Sequence, residues 1–368
     1  MLDLNLEHIA PPPANKDYGI GVIGAGFIVR DVQLPAYAHA GYNVRAIACD
    51  APEQARAVAR LRGIPQAYDT YQELLADPAV EIVDIAVPPH VQNEVVREAI
   101  RYAGRIKGIL AQKPLATTYK EAQDTACLCE KAGVTLGVNQ NMRYDHSIRA
   151  LKTVLDRGWL GEPVLATVEM RAIPHWQAFL RGYERLELLN MGIHHLDCFR
   201  YLFGDPESVY VSARPDPRTE FPHRDGITLS ILEYANGLRA AIWDDVWAGP
   251  VREGAAADNY IKWRVEGTGG LAQGTIGWPS FPNAQPSTID FTTKREPGVW
   301  FQPRWKEVWF PDAFEGTMGM LLDAVARRAE PAVGARDNLH TMALIEACYK
   351  SLDEHRPVKL DEILREDS

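Results

Sequence analysis

The sequence predicts an α/β protein of two domains, the first built on an open parallel sheet and the second on a large, mostly antiparallel open sheet. Before about residue 144, short apolar runs alternate with helical stretches, the order expected when helices cover both faces of a parallel sheet. Beyond it, strand-like runs follow one another with few helices between them. The 368 residues, 46% of them hydrophobic, suffice to bury two cores. The expected domains are 1–143 and 144–368, with a C-terminal helix able to pack back on the first domain.

Pro11, Pro12 and Pro13 form a tether into YGIGVIGAGFIVRD, where a buried first strand runs into a glycine turn and a helix. The next strands are expected in NVRAIACD, AVEIVDIAVPP, IKGILAQKP and VTLGVNQN. Helical patterns over Ala51 to Leu61, Tyr71 to Leu75, Gln92 to Tyr102 and Tyr119 to Ala132 separate them. In the second half, SIRALKTVLDRGWLGEP reads as a helix ending near Gly158, followed by a strand in VLATVEMRA and a helix from His194 to Phe203. Strands are expected in SVYVSAR, ITLSILEY, LRAAIWDD, YIKWRVEG and STIDFTT, and helices over Phe314 to Arg327 and Asn338 to Leu352. Proline and glycine break up PDPRTEFP, GGLAQGTIGWPSFPNAQP and REPGVWFQP, which rules against continuous helices there.

Charge and composition narrow the function. The net charge of −10 and a pI near 5.5, with no compact Lys/Arg block, offer no patch for a nucleic-acid backbone. No apolar run approaches the roughly 20 residues that span a bilayer, and the N-terminus lacks a signal-like stretch, so a cytoplasmic protein with no membrane partner is expected. The five cysteines are spaced neither as a disulfide framework nor as a zinc site.

The glycine turn carries the first functional signal. Gly24 permits the tight turn, and Gly26 lets the backbone approach a pyrophosphate at the helix start, with Phe27 and Ile28 beside it. Val29 stands where the G-x-G-x-x-G/A pattern has a small residue, and its bulk demands a wider fit of helix to strand. Asp50, at the end of the second strand, is suited to accept hydrogen bonds from ribose hydroxyls and to repel a 2′-phosphate. NAD is therefore the expected cofactor, ahead of NADP and FAD. A glycine turn serving only structure in another α/β fold is the competing reading. The chain has neither a phosphate-binding G-x-x-x-x-G-K-[ST] loop nor a G-x-S-x-G elbow.

Two further segments suit hydride chemistry. Pro88 and Pro89 end one strand and Gln112, Lys113 and Pro114 the next, placing Lys113 at the inner crevice, where its ammonium suits an oxygen gaining negative charge. In LLNMGIHHLDCFRYLFG, His194 is suited to accept or relay a proton, and Asn190, one turn earlier, to bind a hydroxyl or position the imidazole. Asp197 either orients His194 or fixes its helix to the first domain. His195 points elsewhere and reads as a packing or substrate-shell residue. The two histidines are adjacent rather than four apart, so no essential metal is expected. Arg143, at the domain junction, and Arg171, His175, Trp176 and Tyr183 are candidates for contacting a polar substrate, the aromatics against its apolar face.

The motifs GVIGAGFI, AVPPH, QKPLA, GVNQNMRYD and GIHHLD, with Asp50, occur in an order that resembles the glucose-fructose oxidoreductase, inositol dehydrogenase and rhizopine-catabolism family. The resemblance covers most of the chain and extends, within the family, to D-apiose dehydrogenase-like sugar dehydrogenases. It implies a Rossmann domain followed by an α/β domain, and oxidation or reduction of sugar and polyol groups. The family's EKP motif corresponds to Gln112, Lys113 and Pro114, with Lys113 in the catalytic position and Gln112 in place of the usual acid. Its D-x-x-x-H arrangement corresponds to Asn190 and His194, and the histidine often found after the paired prolines is Gln92 here. The expected reaction is NAD-dependent oxidation of a cyclic aldose at its anomeric hydroxyl to a lactone. The alternatives are a polyol or inositol dehydrogenase, an oxidoreductase that retains its cofactor, and a noncatalytic sugar sensor. A homo-dimer or homo-tetramer joined through an exposed sheet edge is also expected.

Overall fold

The computed structural model describes residues 2–171, 178–246, 260–277 and 285–366. The chain forms two compact units, one of Ala10–Asn141 with Pro311–Met342, the other of Met1–Ile9, Met142–Phe310 and Ala343–Ser368.

The first unit holds a parallel sheet of six strands: β1 (Ile20–Ile23), β2 (Val44–Ala48), β3 (Gln66–Tyr68), β4 (Ile82–Ile85), β5 (Gly108–Ala111) and β6 (Thr135–Val138). Their order, β3-β2-β1-β4-β5-β6, reverses direction of growth at β1, so β1 and β4 flank the switch point of a doubly wound sheet. β1, β4 and β5 are buried at every residue, which explains why they read as continuous apolar runs.

Helices α1 (Leu34–Ala40), α2 (Pro52–Arg62), α3 (Tyr71–Ala76), α4 (Pro89–Ala99) and α5 (Tyr119–Ala132) connect them. Four of these starts have a local cause. Pro52 and Pro89 occupy first-turn positions, where the missing N–H costs nothing. Thr70 and Glu73 close a capping box on α3, and the Thr118 hydroxyl accepts from the N–H of Glu121 at 3.2 Å to start α5. Proline at the first turn also explains why α4 begins at Pro89, three residues before the expected Gln92.

The second unit is built on nine strands in the order β14-β13-β12-β11-β7-β10-β9-β8-β15. They are β7 (Pro163–Arg171), β8 (Ser208–Arg214), β9 (Ile227–Glu233), β10 (Arg239–Asp245), β11 (Tyr260–Gly267), β12 (Gly270–Thr275), β13 (Thr288–Thr293), β14 (Trp300–Phe301) and β15 (Val358–Lys359). Every neighbouring pair is antiparallel except β7 with β10. The N-terminal Rossmann domain and the C-terminal α/β domain with a large, mostly antiparallel sheet are thus as expected.

Period-two alternation sorts this sheet's faces. Val209, Val211, Leu232, Ile242, Met170, Ile261 and Phe291 are buried, while Tyr210, Leu229 and Ile231 on the other face stay exposed. Helices α6 (His146–Asp156) and α7 (Ile193–Phe203) lie in the same unit. Asp145 caps α6, accepting from the N–H groups of Ser147 and Ile148 at 2.9 and 3.3 Å.

Among the described residues, no helix is long and apolar enough to cross a membrane.

Candidate active site

In the first unit, nine expected site residues gather at the carboxyl ends of β1, β2, β4 and β5. Gly24 follows β1 with φ +122°, and a Cβ there would meet the Ala86 carbonyl oxygen at 2.3 Å, so only glycine makes this turn. Gly26 differs. A Cβ on it would meet nothing within 4 Å, so nothing in the protein requires its bareness. A ligand pressed against the backbone would, which is the role of that glycine in a pyrophosphate cradle.

The helix that follows opens on a π-helical segment, Ile28–Gln33, with no side-chain cap at Phe27. A π turn is wider than an α turn, and Val29 within it is buried. The wider winding accommodates the side chain that breaks the small-residue pattern. Phe27 is exposed and Ile28 half-buried. Asp50 stands exposed two residues beyond β2, and Pro88 and Pro89 turn the chain from β4 into α4. These residues fit a dinucleotide: a bare helix start for its phosphates and a carboxylate one strand away for its ribose.

Lys113 is half-buried just past β5. The loop carrying it is gripped by Gln92, whose side chain is fully buried in α4. Gln92 Nε2 donates to the carbonyls of Gln112, Pro114 and Leu115 at 3.0, 3.2 and 2.9 Å, and its Oε1 accepts from the Gln112 N–H at 2.8 Å.

The Gln112 side chain continues the network, its Nε2 donating to Gln33 Oε1 at 3.3 Å. Gln33 Nε2 and the Tyr37 hydroxyl both donate to Asp84 Oδ2 at 2.8 Å. Asp84 lies inside β4 at 0% exposure, and burial pushes its carboxyl up to about 7 against the opposing effect of those two hydrogen bonds.

In the second unit, α7 begins on another π-helical segment, Leu188–Gly192, which holds Asn190 half-buried. His194 is buried, its ring edge-on to Trp309 at 5.6 Å between centroids. Arg143 and Asp197 form a buried two-point ion pair, Nε to Oδ2 at 2.6 Å and Nη2 to Oδ1 at 2.7 Å. That pair commits two of the guanidinium's donor groups and both oxygens of Asp197. Arg171 ends β7 with its Nε 3.5 Å from Asp245 Oδ2, and Tyr183 is half-buried, edge-on to Phe179. His175 and Trp176 fall outside the described residues.

His195 belongs to a buried polar cluster. Its Nδ1 lies 3.0 Å from Asp244 Oδ1, and Glu187 accepts from the Thr228 hydroxyl at 2.8 Å. Burial raises the carboxyls of Glu187 and Asp244, in Glu187 reinforced by the neighbouring Asp244, and lowers the His195 imidazole to about 4. The imidazole is therefore neutral, and the two acids do not both ionise.

Gln92, Gln33, Tyr37 and Asp84, and Glu187 with Asp244, escaped the motif reading. Only Gln92 left a trace, as the departure from the histidine that usually follows the paired prolines.

This fold, with its glycine turn and strand-end acid, defines a dinucleotide-binding α/β protein. Residues 18–140 match the oxidoreductase family with an NAD-binding Rossmann fold, and residues 152–360 match the C-terminal α/β domain of the same family. The chain belongs to this oxidoreductase family and is an NAD-dependent enzyme, with NAD as its cofactor. It is 28% identical to a D-apiose dehydrogenase of Paraburkholderia graminis, over 94% of this chain and 90% of that one. Identity to a D-xylose 1-dehydrogenase (NADP(+)) of Haloferax volcanii is 27%, over 93% of this chain and 99% of that one. Among solved structures, an oxidoreductase from Agrobacterium radiobacter in complex with NAD+, L-tartaric acid and magnesium shares the fold. Its TM-score is 0.79 at 22% identity, with 94% of this chain and 99% of that one covered.

Proposed function

We propose that the protein oxidises a sugar hydroxyl, the anomeric hydroxyl of a cyclic aldose, to give a lactone. The observation that carries this reading is the seating of Lys113 past β5, on the same edge of the sheet as the Gly24–Gly26 turn and Asp50, in a loop clamped on both sides. The sugar named for each of the two curated relatives supports the substrate class, and the C1 position named for the Haloferax enzyme supports the anomeric carbon.

Bound NAD+ supplies a hydride acceptor at nicotinamide C4. The bare backbone at Gly26 and the N–H groups of Phe27 and Ile28 hold its pyrophosphate, Asp50 its ribose hydroxyls, and Pro88, Pro89 and Gln112 line its path. Lys113 Nζ binds the substrate hydroxyl and stabilises the negative charge that grows on that oxygen as the C–H bond breaks. His194, buried against Trp309, accepts the hydroxyl proton, and Asn190 orients the substrate or the imidazole. Arg143, Arg171, His175, Trp176 and Tyr183 complete the proposed substrate contacts.

The test is absorbance in the reduced-nicotinamide band when the purified protein meets NAD+ and a panel of aldoses and polyols that includes D-apiose and D-xylose. A sugar-dependent rise is expected, and Lys113→Met should depress turnover far more than it weakens NAD binding. Turnover unchanged in Lys113→Met at saturating substrates would sink the chemical role of that lysine.

A homo-dimer or homo-tetramer belongs to the same proposal. The sheet's outermost strands, β14 and β15, are two residues long, too short to recruit another sheet. The apolar surface lies on the open face, where Tyr210 pairs in register with Ile231 beside Leu229. That face also mixes Arg239, Lys262 and Arg264 with Glu169, Glu233 and Glu266, which lets a second copy related by a two-fold axis set opposite charges together. Sedimentation should find an oligomer that Leu229→Lys dissociates, whereas a wild-type monomer at every concentration would contradict it.

A further inference from the structure

We infer that Gln92 is a positioning residue for Lys113, its buried amide fixing the backbone on both sides of that lysine. The inference rests on the role proposed above for Lys113. Three carbonyls and one N–H of residues 112–115 converge on a single side chain, and they bracket Lys113: Gln112 before it, Pro114 and Leu115 after it. A displacement of the Lys113 backbone therefore strains the bonds to Gln92 on both sides of it.

The chemistry demands an amide. Only Asn and Gln carry two donor hydrogens and an acceptor on one planar group, and three carbonyls and an N–H need both kinds. A carboxylate would repel the carbonyls. A neutral imidazole has one donor and one acceptor, so it could hold one side of the loop but not the full set. The side chain is fully buried, so it does not exchange these partners for water.

A second contact adds a direction. Gln112, the residue that Gln92 holds from its backbone, reaches with its own side chain to Gln33 in the π-helical segment behind the glycine turn. The Lys113 loop is thus tied to α4 on one side and to the dinucleotide-binding helix on the other. Displacing a catalytic group by about 1 Å costs on the order of 100-fold in rate.

Gln92→Met keeps the side chain's length and removes every hydrogen bond, and Gln92→His restores one donor and one acceptor. Circular dichroism should show the fold kept, at some cost in stability for the carbonyls and N–H left unpaired, and NAD affinity by calorimetric titration should fall far less than turnover. Turnover of NAD+ with the sugar that the panel identifies should fall about 30- to 100-fold in Gln92→Met and by less in Gln92→His. In a Lys113→Met background, Gln92→Met should cost nothing further, since a positioning residue acts only through the group that it positions. An equal loss in both backgrounds would overturn the inference.

A readout without turnover separates this inference from the reading on which it rests. After reductive methylation with a 13C label, the Lys113 methyl resonance, assigned by its loss in Lys113→Arg, should be distinct from those of exposed lysines in the NAD-bound wild type. It should merge with them in Gln92→Met, or in Gln92→His if the first variant does not fold. An unmoved resonance refutes the positioning role. A moved resonance with full activity in Lys113→Met refutes instead the chemical role of the lysine.

Discussion

Replacing Asp84 by Asn should alter how stability depends on pH. Asp84 is fully buried in the centre of the parallel sheet, and its carboxyl is raised from 3.8 to about 7. A carboxyl raised on folding contributes most to stability below its unfolded value, where it is protonated in both states, and that contribution is lost as pH rises through the folded value. At about 1.4 kcal/mol per pH unit, the interval from 3.8 to about 7 corresponds to about 4 kcal/mol across the whole transition. Between about pH 5 and about pH 8, the same values give a loss of about 2 to 3 kcal/mol in the wild type.

Asparagine has no such titration, while its carbonyl oxygen still accepts from Gln33 and Tyr37. Urea unfolding of both proteins at the two pH values should therefore find the stability of Asp84→Asn, relative to the wild type, about 2 to 3 kcal/mol greater at the higher pH than at the lower. Titrations elsewhere cancel in the difference. A difference that does not vary with pH would refute the titration of Asp84 in this range. An asparagine variant less stable at the higher pH would show that the fold depends on the carboxylate's charge.

Other perturbations probe the remaining parts. Gly26→Ala should leave stability within about 1 kcal/mol, because its Cβ enters open space, yet weaken NAD binding at least about tenfold by calorimetric titration; undiminished affinity would place the pyrophosphate elsewhere. Asp50→Ser should shift the ratio of NADP to NAD affinity about tenfold toward NADP by removing the charge that opposes a 2′-phosphate; an unchanged ratio would remove Asp50 from cofactor choice. Arg143→Met removes the two-point partner of the buried Asp197 carboxylate, leaving Arg200 Nη1 at 4.0 Å, and should cost about 3 kcal/mol in urea unfolding. A cost under about 1 kcal/mol would mean that the pair is not desolvated as its burial implies.

The alternation of buried strands and amphipathic helices made the first sheet legible. The helix expected over Tyr119 to Ala132 is found within those bounds, and SVYVSAR is β8 residue for residue. What escaped has specific causes. β12 escaped because the glycines around Gly270 and Gly274 rule out a helix without showing a strand's alternation; a Cβ on Gly274 would lie 2.3 Å from the Trp263 ring, so the glycine is there for close packing within the sheet. β3, β14 and β15 have only two or three residues each, too few to show a period. The π-helical starts at Ile28 and Leu188 leave no mark in an apolar pattern that differs little between windings.

The candidate site divides along the same line. Residues at strand ends, such as Asp50 and Lys113, are found from local pattern, because the end of a strand is itself a local feature. Asp84 reads from sequence as an ordinary interruption of an apolar run, and Gln92 as a neutral helix residue. Their partners lie 20 to 51 positions away in the chain, and only the fold brings them together.

Helix α8 (Ala313–Arg327) covers the β5 and β6 side of the parallel sheet, with Leu321 and Val325 close over Gly108 and Met320 close over Gly137. Yet it is made long after the strands it covers: about 170 residues separate Asn141 from Pro311. At roughly 5 to 20 residues per second, a ribosome takes on the order of ten to thirty seconds to supply it. Throughout that interval the nascent sheet carries an open apolar flank, the state in which chaperones bind and chains misassociate. The same separation means that residues 10–141 are not a transplantable cassette. A chimera that exchanges them without the 311–342 segment would pair one protein's sheet with another's covering helix, and the glycines at 108 and 137 would decide whether the two surfaces fit.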